Sequence, residues 1–100
     1  MSVIVIGRMK VDPANVEKLW ADRIADFEAV EEAAREAGAI HHRWGFGDGE
    51  VLIVDEWPDA ESFNGFFSSQ TKIADLMAAA GVQGPPDFTI VQAVQGPDEF

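Results

Sequence analysis

The chain has 100 residues, enough for one domain with a modest core, and its 47% apolar content is that of a globular protein rather than a disordered one. Eighteen acidic residues against seven basic ones give a formal net charge of −11. Clustered Lys and Arg are what displace counterions from phosphates, so neither a nucleic acid nor an anionic membrane is an expected partner. The absence of cysteine excludes disulfides, thiolate nucleophiles and Cys-ligated zinc or iron–sulfur sites.

The first residues, Met1-Ser-Val-Ile-Val-Ile-Gly7, show neither a charged leader nor a cleavage pattern. We therefore expect no signal peptide. No apolar run approaches spanning length, and a cytoplasmic protein is the expectation. Residues 3–11 alternate, with Val3, Val5, Gly7, Met9 and Val11 on one face and Ile4, Ile6, Arg8 and Lys10 on the other, which predicts a first strand. Asp12-Pro13 then opens a helix, because Asp accepts a hydrogen bond from an otherwise orphan N–H and Pro has no N–H to waste at the first helical position. Val16, Leu19, Trp20, Ile24, Phe27, Val30 and Ala34 recur at spacings of three and four, predicting a single helix that closes at Gly38.

Residues 39–46 and 50–57 predict two strands joined at Asp48-Gly49, a favoured two-residue hairpin turn. Counting outward from that turn sets Phe46 opposite Val51, Trp44 opposite Ile53, His42 opposite Asp55 and Ile40 opposite Trp57, all on one face. The other face pairs Gly45 with Leu52, Arg43 with Val54 and His41 with Glu56. Pro58 stops the strand. Asp59 caps a short helix to about residue 67, and Ser68 or Ser69 is placed to cap a second piece ending at Gly81. Residues 82–86 read as a loop and 87–95 as a fourth strand, before a polar tail expected to be mobile or to swap onto a neighbour.

The order is β-α-β-β-α-β. With right-handed crossovers it folds into a ferredoxin-like α+β domain, a four-stranded antiparallel sheet with its helices on one face. The helices cover one face only. The other would carry Ile4, Ile6, Leu52, Val54 and Val91 into water, a patch larger than monomers usually keep. Burying five such side chains is worth about 1.5–3 kcal/mol each before costs. A homodimer with its sheets packed face to face is therefore expected.

The helix-facing side gathers His42, Asp55, Trp44 and Trp57 in an apolar lining, with Gly7 beneath and Arg23 and Phe27 from the first helix beside it. Small-molecule pockets have this make-up. His42 opposite Asp55 is the available acid–base pair, since a carboxylate fixes one imidazole tautomer and leaves the other nitrogen for proton transfer. A structural hydrogen-bonded pair is the simpler alternative. His41 and His42 point to opposite faces, and with no third histidine a zinc or iron site is not expected. The aromatic residues Trp20, Phe27, Phe63, Phe66 and Phe67 are core formers unless packing leaves a void between them.

Three segments in order resemble the antibiotic biosynthesis monooxygenase (ABM) family of dimeric α+β barrels: a first strand leading to Val11-Asp-Pro-Ala-Asn15, Gly38 followed by a second strand, and Glu56-Trp57-Pro-Asp-Ala-Glu-Ser-Phe63. The resemblance spans nearly the whole chain and implies a pocket between sheet and helices. It also implies a cofactor-free reaction of dioxygen with an electron-rich aromatic substrate such as a phenol, quinol or polyketide. On that reading His42 and Asp55 are catalytic, while Trp44, Trp57, Arg23, Phe27 and Phe66 contact an apolar small-molecule ligand. Family members often carry a histidine in the helix after the Glu-x-Trp motif, where this chain has Phe63-Asn-Gly-Phe-Phe67. The haem-degrading branch is not expected, because its strand-one asparagine falls on Gly7, its second tryptophan on Phe66 and its haem-ligating histidine near Leu76. The scaffold also hosts isomerases, decarboxylases and proteins without known activity. An isomerase or decarboxylase, or a non-catalytic binder of a hydrophobic small molecule, is thus the alternative reading.

Overall fold

The computed structural model describes residues 1–100. Its elements are β1 (Val3–Lys10), α1 (Pro13–Asp22), α2 (Ile24–Glu36), β2 (His41–Gly47), β3 (Glu50–Trp57), α3 (Ala60–Ser69), α4 (Thr71–Ala80) and β4 (Gln83–Gln92). The strands form one antiparallel sheet in the order β2-β3-β1-β4. This is the ferredoxin-like arrangement expected from the element order.

The hairpin pairs in the counted register, with His42 opposite Asp55, Trp44 opposite Ile53 and Phe46 opposite Val51. Asp48-Gly49 forms the turn, and the positive φ of 69° at Gly49 is one a side chain would strain. On β1, Val5 pairs with both Asp55 and Ile90, and Gly7 with both Ile53 and Phe88. The odd-numbered positions of β1 thus face the same side as His42 and Asp55. The opposite face carries Ile4, Ile6, Leu52, Val54 and Val91, none of them fully buried.

Three departures from the expected boundaries have local causes. The first helix is two helices. It opens as expected, with Asp12 accepting from the Ala14 N–H at 3.0 Å, but breaks at Arg23 (φ −134°, ψ 41°). No proline or glycine makes the break. It is held by Arg23, whose guanidinium donates to Asp26 at 2.8 Å and to Asp75 of α4 at 3.0 Å. The start of α4 takes no serine cap, because Ser68 and Ser69 turn back onto the carbonyls of Asn64 and Phe66 inside α3, leaving Gln70 at the junction. Finally, β4 begins at Gln83 rather than after Pro86. Pro85 and Pro86 lie where the ladder skips, Gln83 pairing with Lys10 and Asp87 with Arg8, so neither residue is asked for a ladder bond, and the positive φ of Gly84 accompanies this irregularity.

The core has two centres. Val11, Val16, Val51 and Ala80 form one, against Trp20 and Trp44. Val5, Trp57 and Phe63 form the other, against Phe66, Phe67 and Phe88.

Candidate active site

Between the two centres lies a cavity of about 890 Å³, lined mainly by apolar side chains from the helix-facing side of the sheet and from α1, α2, α3 and α4. Its floor is Gly7, Met9, Ile53 and Asp55. Phe63, Phe66, Phe67 and Phe88 make one wall, and Trp20, Phe27 and Trp44 make the other. Gly7 has to be a glycine for this floor to exist in its present shape, because a Cβ there would lie 2.7 Å from Phe88 Cε1 and 2.8 Å from Ile53 Cγ1.

The polar centre is a chain of three side chains. Asp55 is 7% exposed, and each of its carboxylate oxygens has one partner. The indole Nε1–H of Trp57 donates to Oδ2 at 3.2 Å, and His42 Nδ1 lies 2.6 Å from Oδ1. A carboxylate that already accepts from an indole offers only acceptors, so the short contact assigns the proton to His42 Nδ1, which donates. In the neutral ring, Nε2 then carries a free lone pair. Ring geometry puts Nε2 on the side away from Asp55. No protein side chain bonds it, and His42 itself lines the cavity. The His42 side chain is 42% exposed, so this nitrogen sits at the mouth while Asp55 sits at the base. Trp44 packs edge-to-face on the imidazole at a centroid distance of 5.4 Å and on Trp20 at 5.3 Å, which limits how far the ring can swing.

The mouth opens between α2 and the edge strand β2. Ile24 and Ile40 are 55% and 52% exposed there, and Glu28, Glu31 and Arg35 from α2 stand on the same rim.

His42, Asp55, Trp44, Phe27 and Phe66 all border the cavity. Two residues expected beside them do not. Trp57 is 1% exposed and lies behind the wall, packed against Phe63 and Phe66 at 5.7 and 5.3 Å, because α3 covers this end of β3. It reaches the site only through its bond to Asp55. Arg23 sits at the helix break, turned toward α4, where Asp75 first and Asp26 second hold its guanidinium above its ordinary pKa. A cation already matched by two carboxylates on the surface has no access to a ligand in the cavity. Residues not singled out from the sequence are Ile73, Leu76 and Met77 of α4 and Val82 after it, which complete the lining. Their spacing of three and four within α4 was the available signal.

Neither a protein-family model nor a curated protein matches the chain. Solved structures do. The chain is similar to SnoaB, a cofactor-independent oxygenase from Streptomyces nogalater, at 20% identity and a TM-score of 0.66, covering 98% of both chains. It is similar to the ActVA-Orf6 monooxygenase of Streptomyces coelicolor, solved with the ligand nanaomycin D, at 19% identity and a TM-score of 0.69, covering 95% of this chain and 89% of that one. A proposed antibiotic biosynthesis monooxygenase from Caulobacter crescentus matches at 20% identity and a TM-score of 0.64, covering 94% and 91%. Over nearly its whole length, this chain has the fold of the antibiotic biosynthesis monooxygenases.

Proposed function

We propose that this protein is a cofactor-independent monooxygenase acting on an apolar aromatic substrate, a phenol or quinol in a fused-ring framework, held in the cavity beside His42. The observation that carries the reading is a histidine fixed in one tautomer by a buried carboxylate, at the mouth of an apolar cavity of about 890 Å³. His42 Nε2 accepts the phenolic proton. Asp55 steadies the imidazolium that results, and Trp57 steadies Asp55. The electron-rich anion then reacts with dioxygen. In the overall change a ring C–H para to the phenolic oxygen becomes C=O and the phenol becomes a quinone, one oxygen atom of dioxygen entering the product and the other leaving as water with the ring hydrogen and the phenolic proton. Trp44, Phe27 and Phe66 supply flat apolar contact to the substrate.

The working form in this reading is a homodimer in which a second copy covers Ile4, Ile6, Leu52, Val54 and Val91, a surface too apolar to leave in water. Sedimentation should give roughly twice the 10.9 kDa chain mass. A lone folded chain at micromolar concentration removes the dimer. The activity itself is tested by oxygen uptake with an anthrone or a quinol. His42→Gln should lower the rate roughly a hundredfold, and an unchanged rate would sink the assignment of His42.

A second reading, a binder without turnover, is favoured by one observation. The His42 side chain is 42% exposed, so the mouth is open to water that a desolvated oxidation has to keep out. Tryptophan quenching by aromatic ligands with no oxygen consumed would establish it.

A further inference from the structure

The charge inventory of the cavity narrows the ligand further than its shape does. The ionisable groups on the lining are Glu28, Glu31, Arg35, His41, His42 and Asp55. Arg35, the only guanidinium among them, is bound to Glu31 at 2.9 Å. Any charge on His42 faces Asp55 at 2.6 Å. Glu28 has no cationic partner, and the chain as a whole carries −11. Arg23, at the helix break, is matched by Asp26 and Asp75 outside the lining, and Arg43, next to His42 in sequence, pairs with Val54 on the opposite face of the sheet. No cation is left over for an anionic ligand, and the net field at the mouth is negative. Apart from the exposed Glu28 and His41, the polar atom on offer is the Nε2 lone pair of His42, an acceptor that a ligand hydroxyl can meet and an ether or a carboxylate cannot.

We propose that the cavity selects an uncharged polycyclic aromatic ligand that brings its own hydrogen-bond donor to His42 Nε2, and that it rejects aromatic carboxylates of the same size. This rests on reading the cavity as a substrate site, and not on the oxygen chemistry. The proton that His42 takes is thus supplied by the substrate after entry. A molecule that arrives already ionised is disfavoured twice, by the rim and by the lack of a donor. The substrate would come from a reaction that leaves a free phenol with no neighbouring acid group, such as a decarboxylation or an esterification of that acid.

The test is calorimetric titration at neutral pH of three probes on one ring system: a phenanthrol, its methyl ether and the matching phenanthrene carboxylate. The phenanthrol should bind tightest, the ether roughly tenfold more weakly and the carboxylate roughly a hundredfold more weakly or not at all. His42→Phe should erase the preference of phenanthrol over ether. Glu28→Lys, on the exposed rim, should raise carboxylate affinity relative to that of the ether. Carboxylate binding within a few-fold of the phenanthrol overturns the proposal, and so does equal binding of phenanthrol and ether. If none of the three binds, the substrate-site reading falls and the proposal with it. Selectivity intact without oxygen uptake leaves this inference standing while removing the oxygenase. Oxygen uptake at equal rates on the phenol and the carboxylate does the reverse.

Discussion

The two aromatic clusters have similar composition and opposite fates. Trp57 lies under α3, whose Phe63 and Phe66 rings meet it at 5.7 and 5.3 Å, leave no room beside it and themselves wall the cavity. Trp20, Trp44 and Phe46 lie toward the free edge of β2, with comparable ring distances of 5.3–5.4 Å, yet Phe46 is exposed and Trp44 only half buried. The difference is not one of residue type. A helix sits squarely on the end of β3, whereas α2 reaches β2 through Phe27 against Trp44 at 6.4 Å and leaves a mouth beside Ile24 and Ile40. Trp57 is therefore spent on stability, while Trp44 borders the open space, and Phe66 serves both sides. Asp55 stands between them, taking a hydrogen bond from each side.

The sharpest way to break this division is to truncate one tryptophan from each side. Trp57→Ala removes a fully buried ring and the donor to Asp55, and should cost about 3–5 kcal/mol of unfolding free energy. Trp44→Ala removes a half-buried ring bordering space that is already open, and should cost about 1–2 kcal/mol. Urea unfolding at one fixed protein concentration, so that any association is held constant, compares them. Equal costs would mean that both clusters are core. The joint between them comes next. Asp55→Asn keeps the shape but not the charge, and sets an amide N–H against one of two donors. A loss of about 1–3 kcal/mol is expected, with oxygen uptake falling along with stability.

How much of this division could be read beforehand depends on which interactions are local. The pairing of His42 with Asp55 follows from a turn of known geometry and a period of two, and the structure has that register. The same counting placed Trp57 and Trp44 on one face, which is correct, and both in the cavity, which is not. Period says which side of a sheet a residue faces. It does not say which helix lies over which strand, and that depth is what separates a wall from its backing. The break at Arg23 was hidden for a similar reason. The apolar stripe runs on through it from Trp20 to Ile24 and Phe27, and the residue at the break is tied to Asp26 nearby and to Asp75, 52 positions along the chain. Pro85 and Pro86 misled in the other direction. They read as a loop because the register shift against β1 that leaves them outside the ladder is a property of long-range pairing.

Gly7 probes the floor that both clusters share. In Gly7→Ala the new methyl displaces Phe88 and Ile53, and both have the cavity to move into. Stability should fall by about 1 kcal/mol, while affinity for a polycyclic aromatic falls by roughly tenfold or more because volume is lost where the ligand lies. If stability fell further and binding held, the floor would belong to the packed side.

The smallest expected effect separates the two sides by their acid response. Asp59 starts α3 on the closed side, and its carboxyl is held below the usual range by the Ser62 N–H, which donates at 2.7 Å. Asp26 belongs to the open side. Its carboxyl is held down by Lys72 first and Arg23 second, and the Lys72 contact ties α2 to α4. Both folded-state values lie below the unfolded one, so the stabilisation is complete above the ordinary carboxylate range and is lost as pH falls through it toward the folded values. The melting temperature of the parent should begin to drop below about pH 4, modestly, since both groups are surface pairs. Asp59→Asn retains a capping oxygen but cannot titrate, and should flatten that drop without touching ligand affinity. Asp26→Asn should flatten it as well. It also loosens the α2–α4 tie beside Ile24, Phe27 and Ile73, so that affinity for an aromatic ligand comes to depend less on salt than in the parent. Identical binding behaviour in the two variants would show that the charges around the helix break play no part in shaping the mouth.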